Sequence, residues 1–256
     1  MGERTKVLVT VKTYPLPSES YMELVCTGGV LEDGRFIRLY PIDYRYKPYA
    51  EWYRKYQWIE IEIEKNAKDP RPESFRQTHG TRITVLGQPL PAGGSWAERR
   101  RYVLARGVST MCDLQTDSQK VRSLGIIKPR KVRDLVVENV AGEWPEKWKT
   151  LFQQQDLFGP DRKPLEKVPY KFSYVYDCES PTCRGHKMMI EDWEVGQLYR
   201  AMRDKYESES IAVDKVKQKL LDQMCAPDRD TYFYTGTVLK HDTWILLGVF
   251  WPKHIK

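Results

Sequence analysis

No apolar run in this 256-residue chain approaches the roughly 18 residues that a membrane-crossing helix requires. The first residues, Met1-Gly2-Glu3-Arg4-Thr5-Lys6, pass directly into Val7-Leu8-Val9, without the longer apolar stretch and small-residue cleavage site of a secretory leader. Position 6 is Lys, so the Ser or Thr that favours myristoylation of Gly2 is missing. Cysteine is scarce. Five scattered residues, an odd number, speak against a disulfide framework and point to reduced thiols and a cytoplasmic setting. The chain contains no Walker phosphate loop and no GxGxxG, HExxH or GxSxG motif, which weighs against ATP-driven, dinucleotide-dependent and serine-hydrolase chemistry. There is also no repeat and no low-complexity segment.

What is present is a composition able to fold. At 41% hydrophobic and 12% aromatic the chain can bury a core. Lys and Arg number 42 against 35 Asp and Glu, a net charge of +7 that favours anionic partners without naming one.

The densest pattern lies between Arg35 and Trp58, where bases and aromatics interleave. Arg35, Arg38, Arg45, Lys47, Arg54 and Lys55 supply charge; Tyr44, Trp52 and their neighbours supply rings. Cations neutralise phosphates and flat rings stack on unpaired bases, so the mixture suits single-stranded or locally unpaired nucleic acid, DNA or RNA. Two more basic clusters strengthen that expectation. Arg99, Arg100 and Arg101 share a predicted helix, and Lys120, Arg122, Lys128, Arg130, Lys131 and Arg133 occupy a stretch without an acidic residue. The Pro-containing loop from Asp69 to Arg76 adds Arg71 and Arg76 as a candidate phosphate clamp oriented by Glu73. Core packing of the rings, with the bases on a wet face, is the competing reading.

The alternation of Ile59, Ile61 and Ile63 with Glu60, Glu62 and Glu64 predicts a strand over Trp58–Lys65 with one buried face. Those carboxylates read as its wet side rather than as a nuclease metal strand. Strands are also expected over Lys6–Thr13, Met22–Thr27 and Phe36–Tyr40, the last two forming a hairpin at Asp33-Gly34. Tyr49, Trp52, Tyr53 and Tyr56 recur with helical spacing and predict a short helix after Pro48. Ser95 with Glu98 reads as a capping box that opens a helix ending before Gly107, and Ser109 reads as the cap of another short one. Lys68–Gly80 reads as a polar loop. The C-terminal part reads as a strand at Phe172–Tyr176, helices at Glu191–Tyr206 and Ser210–Cys225, and a closing hairpin around Lys240-His241-Asp242.

The expected class is therefore α+β. A β-rich part, 1–143, forms a twisted sheet or partly open barrel. A connection, 144–168, leads to a strand–helix–helix–hairpin part, 169–256, which is either a second domain or further layers on the same sheet.

A second constellation is Cys178-x4-Cys183-x2-His186. It places three metal-type donors in one loop; zinc needs a fourth, for which Cys112, Cys225 and His241 are candidates. An irregular turn carrying two ordinary thiols is the competing and simpler reading; an iron–sulfur cluster on Cys112, Cys178, Cys183 and Cys225 is a weaker alternative, as is a catalytic thiol paired with His186. His186, Asp192 and Glu194 together would suit a metal-dependent nuclease or related phosphoester hydrolase; more simply, Asp192 caps the helix that follows. The leading expectation is a nucleic-acid-binding accessory or recognition protein. A hydrolase centred on Cys178–Glu194 is one alternative. The other is a module docking a protein partner through its aromatic and Arg anchors.

Overall fold

The computed structural model describes residues 2–20, 22–117, 121–155, 165–239 and 243–255. The N-terminal strands are β1 (Glu3–Lys12), β2 (Leu16–Ser18), β3 (Met22–Val30), β4 (Phe36–Ile42), β5 (Trp58–Lys65), β6 (Ser74–Gln77) and β7 (Thr84–Leu86). Five of them close a ring in the order β1-β3-β4-β6-β5-β1. Every pairing in it is antiparallel except β4 with β6. The expected sheet or partly open barrel is thus a closed barrel, with β2 added to β3 and β7 to β5. The Ile59, Ile61 and Ile63 face points inward, packing with Val7, Val9, Val25, Ile37 and Leu39, as the alternation in β5 requires.

The rest of the chain adds α1 (Ala97–Val103), α2 (Met111–Thr116), β8 (Leu124–Ile127), β9 (Pro129–Asn139), α3 (Glu146–Gln155), β10 (Tyr170–Cys178), β11 (His186–Met189), α4 (Trp193–Tyr206), α5 (Glu209–Lys217), β12 (Tyr232–Val238) and β13 (Thr243–Phe250). Only Lys128 separates β8 from β9, so they act as one long strand. Its second half pairs with β10, β10 with β11, and its first half with β12, which pairs with β13. Ile190, just past β11, bridges Leu246 of β13 in parallel, and the Glu191 N–H donates to the Leu246 carbonyl at 2.8 Å. Numbered along the chain, this second ring repeats the order of the first, again with its third and fifth strands parallel. Both are five-stranded Greek-key barrels of the OB type. The repetition lies in topology and has no counterpart in the sequence.

The barrels share a packed seam. Val11 and Tyr56 from the first meet Leu124, Ile126, Tyr232, Tyr234, Leu247 and Phe250 of the second, with Trp96 and Val103 from the connecting segment.

Several expectations need correction. The helix expected over Tyr49–Tyr56 is replaced by two single 3₁₀ turns, Tyr44–Tyr46 and Tyr49–Glu51. Tyr53 and Tyr56 turn into buried clusters while Tyr49 and Trp52 stay outside, so the aromatic spacing reflects in-and-out alternation of an irregular segment. The polar loop contains β6, the strand that lies between β4 and β5 in the ring. Trp96 in a left-handed conformation, not Ser95, precedes α1, and Thr110, not Ser109, caps α2 by accepting from the Asp113 N–H. The expected connection carries α3. The second long helix stops at Lys217 and passes into a π turn over Gln218–Gln223. Lys120 and His241 lie outside the described residues. No helix among the described residues is long and apolar enough to cross a membrane.

Candidate nucleic-acid interface and metal centre

The basic residues of the tract do not gather on one wet face; most of them hold the protein together. Ile37 and Leu39 fill the first barrel, so Arg38 between them points outward. There it meets the second barrel: its guanidinium donates to Ser123 Oγ at 2.7 Å and to the Ser123 carbonyl at 3.0 Å, and it is 2% exposed. Arg71 is equally withdrawn, paired with Asp69 at 2.6 Å and donating to the Thr237 carbonyl at 2.5 Å. Lys55 is clamped by Asp192 at 2.7 Å and Glu194 at 3.0 Å. Burial disfavours its ammonium form, but the two carboxylates outweigh that and hold its pKa above the ordinary lysine value. Arg100 and Lys128 both pair with Asp230. Arg45 pairs with Glu23 and Lys47 with Asp43. Arg99 donates to the Leu90 carbonyl and lies 4.0 Å from the ring centre of Tyr56.

The rings are similarly employed. Tyr44 is buried, donates to the Tyr53 carbonyl, and carries the Lys12 ammonium 3.9 Å above its ring. Burial pulls the Lys12 pKa down to about 8, against the opposing pull of Glu194. Trp52 donates to the Lys47 carbonyl and stacks beside Tyr44 and the exposed Tyr49. On the surface, Arg35 pairs with Asp33, Arg76 with Glu64, and Arg54 bonds Gln88. Of the expected contact residues only Arg130 and Lys131 present exposed cationic groups with no polar partner among the described residues.

Those two lie on β9, at the edge of a sheet face that the second barrel keeps toward solvent. Phe172, Tyr174, Tyr176 and Met188 point inward. The outer side of β9–β10–β11 is therefore lined by Lys131, Arg133, Asp134, Glu138, Lys171, Asp177 and Lys187, with Arg133 paired to Asp177 and both Lys171 and Lys187 to Glu138. Arg133, Glu138, Lys171 and Lys187 are each 41–50% exposed, whereas the outer side of β4 in the first barrel is sealed by Ser123 and Gly236 against Arg38. A Cβ on Gly236 would fall 2.8 Å from Leu247 Cδ1, 3.0 Å from Leu124 Cδ2 and 3.1 Å from the Arg38 guanidinium, so a side chain there would crowd the seam.

At one end of this face the metal-type donors converge. Cys112 arrives from α2, Cys178 from the end of β10, Cys183 from the following turn and His186 from the start of β11. Their ligand atoms all lie within 4.8 Å of one another. The Cys178 and Cys112 sulfurs are 3.6 Å apart, and Cys112 Sγ lies 3.7 Å from His186 Nε2. Four donors around a tetrahedral ion at about 2.0–2.3 Å would be separated by roughly 3.5–3.8 Å, so the group has the dimensions of a Cys3His metal site. The backbone N–H groups of Cys178 and Gly185 donate to Cys183 Sγ at 3.3 and 3.4 Å, orienting that donor. Burial pushes the Cys178 thiol up, but hydrogen bonds at Cys112, Ser180, His186 and Cys183 prevail and bring it down to about 6. Three of the four donors in this group were expected from the sequence; Cys112, one of three candidates for the fourth, is brought beside them by the fold. Cys225 is elsewhere, donating to the Leu220 carbonyl, so the proposed iron–sulfur set does not assemble.

The hydrolase constellation separates as well. His186 belongs to the Cys3His group, while Asp192 caps α4 through the Glu194 N–H and, with Glu194, binds Lys55.

No curated protein matches this sequence. Three solved structures resemble it at a TM-score of 0.32. A murine DNA-binding protein bound with double-stranded DNA is 8% identical, covering 99% of this chain and 97% of the other. The tetrameric p202 HIN2 is 7% identical, covering 99% and 94%. The p204 HINb domain is 10% identical, covering 99% and 97%. Residues 3–105 match the family described as Domain of unknown function (DUF8758). Residues 107–256, which hold the second barrel, its open face and the Cys3His group, match the one described as Domain of unknown function (DUF8757). More than half of the chain is matched by the second of these, and the protein belongs to the DUF8757 family.

Proposed function

We propose that this protein binds single-stranded or locally unpaired nucleic acid along the outer face of β9–β10–β11. The observation that carries this reading is the asymmetry between the barrels. Barrels of this type bind oligonucleotides on the face of their second and third strands. In the first barrel the third strand, β4, is turned against the second barrel through Arg38 and Ser123. In the second, β10 and β11 keep the equivalent face toward solvent, with Arg130, Lys131 and Arg184 exposed at one end. β10 has nine residues, about 26 Å at roughly 3.3 Å per residue. That length suits the roughly four nucleotides at the lower limit for one such barrel. The unpaired cations of Arg130, Lys131 and Arg184 give this face its local chemistry for phosphates.

The Cys3His group is read as a structural zinc site. Thiolate and imidazole donors suit zinc, and four protein donors close the coordination shell, leaving no position for a reactive water. Zinc would tie α2 to the β10–β11 turn and so fix the end of the face where Arg130, Lys131 and Arg184 sit. This arrangement favours binding over hydrolysis.

Fluorescence anisotropy of labelled single- and double-stranded DNA and RNA across a salt series tests the reading. Affinity that falls linearly in log salt, tighter for single strands, supports it. Absence of binding to every probe at low salt sinks it.

A further inference from the structure

At the other end of β10 a cleft of about 330 Å³ opens where the loop after β1 meets the second barrel. Its lining includes Tyr14, Trp144, Lys167, Tyr170, Lys171 and Glu191. The volume is at the small end of ligand pockets, suited to a single flat group with its attachments.

The rings have already committed their polar atoms. The Tyr14 hydroxyl donates to the Glu166 carbonyl at 2.7 Å, the Trp144 indole N–H to the Leu165 carbonyl at 2.8 Å, and the Tyr170 hydroxyl to Glu209 at 3.0 Å. Tyr14 is also pressed onto α4 at Gly196, where a Cβ would come within 2.3 Å of the ring. What these residues offer a ligand is therefore ring surface, held in place. Lys167 lies 5.6 Å from the Trp144 ring centre and donates to the Glu143 carbonyl at 3.4 Å, and Lys171, 41% exposed, lies 3.7 Å from Glu138; both ammonium groups stand at the cleft on surface contacts that a phosphate can replace.

Glu191 differs from the other polar groups of the lining. Its backbone N–H is used by Leu246, but among the described residues its carboxylate has no hydrogen-bond or ion-pair partner. Asp192, its neighbour, is satisfied by Lys55. A partly buried carboxylate without a partner is an acceptor waiting for donors, since in its ionised form it can only accept.

The occupant must then combine a flat stacking body, a negatively charged attachment for the lysines, and adjacent N–H donors. Among the nucleobases guanine meets all three: N1–H and the N2 amino group lie side by side and can bond both carboxylate oxygens. Adenine and cytosine place an acceptor next to their amino group, which would face a carboxylate oxygen. Thymine and uracil flank their one N–H with carbonyls. We propose that the cleft between Tyr14, Trp144 and Glu191 takes one unpaired guanine of a strand lying on the β9–β10–β11 face. This rests on the nucleic-acid reading above and adds a base preference to it.

The test compares labelled ten-nucleotide oligothymidylate hosts carrying a single central G, A or C, together with the unsubstituted host, by anisotropy at low salt and pH 8.5, where the Glu191 carboxyl is ionised and can only accept. The G host is expected to bind roughly five- to a hundredfold more tightly than the others, the range a bidentate base contact provides. Glu191→Gln, with its fold checked by thermal melting, is expected to reduce that preference to under about twofold, chiefly by weakening binding of the G host. Equal, salt-sensitive binding of all hosts by the unmodified protein would overturn the guanine assignment and leave the nucleic-acid reading standing. Binding of none would overturn both. A G preference that survives Glu191→Gln would remove Glu191 from the contact.

Discussion

Arg38 of β4 donates two hydrogen bonds to Ser123, 85 positions further along the chain, and Ser123 in turn donates its hydroxyl to Glu73 at 2.7 Å and its N–H at 3.0 Å. A residue with the composition of a phosphate contact is thus the polar rivet of the seam between two barrels. Arg38→Ala would leave Ser123 short of its partners and open a void over Gly236, at a cost of about 3 kcal/mol. Arg38→Lys should recover only part of this, because the two bonds to Ser123 use the planar fork. Urea denaturation measures both. If Arg38→Ala weakened nucleic-acid binding with stability intact, Arg38 would have to be moved from the seam to the interface.

The strands were legible where one side of a strand faces a core and the other faces water. β5 is the clearest example, and its Ile/Glu alternation stands at the predicted residues. β6 was not legible, because four residues carry no usable period and its pairing with β4 is set by the ring closing around it. The cations were misleading for a different reason. Charge is visible in a sequence, but the Asp69, Asp192 and Asp230 carboxylates that consume Arg71, Lys55 and Arg100 are identified only by the fold. Cys112 illustrates the same limit in the opposite direction. Nothing in its spacing singles it out, yet α2 delivers it to the Cys178–His186 loop. The second barrel's likeness to the first was invisible because topology can repeat while side chains do not.

If the Cys3His group holds zinc, protein purified without chelator should contain about one equivalent by elemental analysis. Cys112→Ser should lose it as completely as Cys183→Ser, although the two are far apart in sequence, while Cys225→Ser should retain it. Chelation should lower the melting temperature, with a loss of at least about 3 kcal/mol. Full metal content in Cys112→Ser would exclude α2 from the site.

Glu191 also predicts how stability depends on pH. Burial alone pushes its pKa up to about 7, against about 4.3 in the unfolded chain. Between those values the folded state holds the extra proton, so stability is full below about pH 4 and declines as pH rises to about 7. The loss is on the order of 4 kcal/mol at most. Glu191→Gln should therefore be more stable than the unmodified protein at pH 8 and nearly equal to it at pH 4, as read by denaturant midpoints. Asp230 works in the opposite sense. Burial raises it, but bonds from Lys128, Arg100 and Tyr232 prevail and hold it at about 2. Its contribution is present above about pH 4 and disappears as pH falls toward 2. A Glu191→Gln variant less stable than the parent at pH 8 would mean that the carboxylate has a partner in solution.

The two basic regions make separable predictions for salt dependence. Arg130, Lys131 and Arg184 have exposed charges with no ion pair among the described residues, so they are free to displace counterions from a strand. Changing all three to Ala should reduce the slope of log affinity against log salt by roughly 2 for single strands, at about 0.7 for each phosphate no longer neutralised. Arg45→Ala with Lys47→Ala should leave the slope nearly unchanged, because those side chains are engaged with Glu23 and Asp43. Either pattern is read from the same anisotropy titrations. Should the Arg45 and Lys47 pair carry the slope instead, the strand would follow the aromatic segment around Tyr49 and Trp52, and the β9–β10–β11 face would lose its assignment.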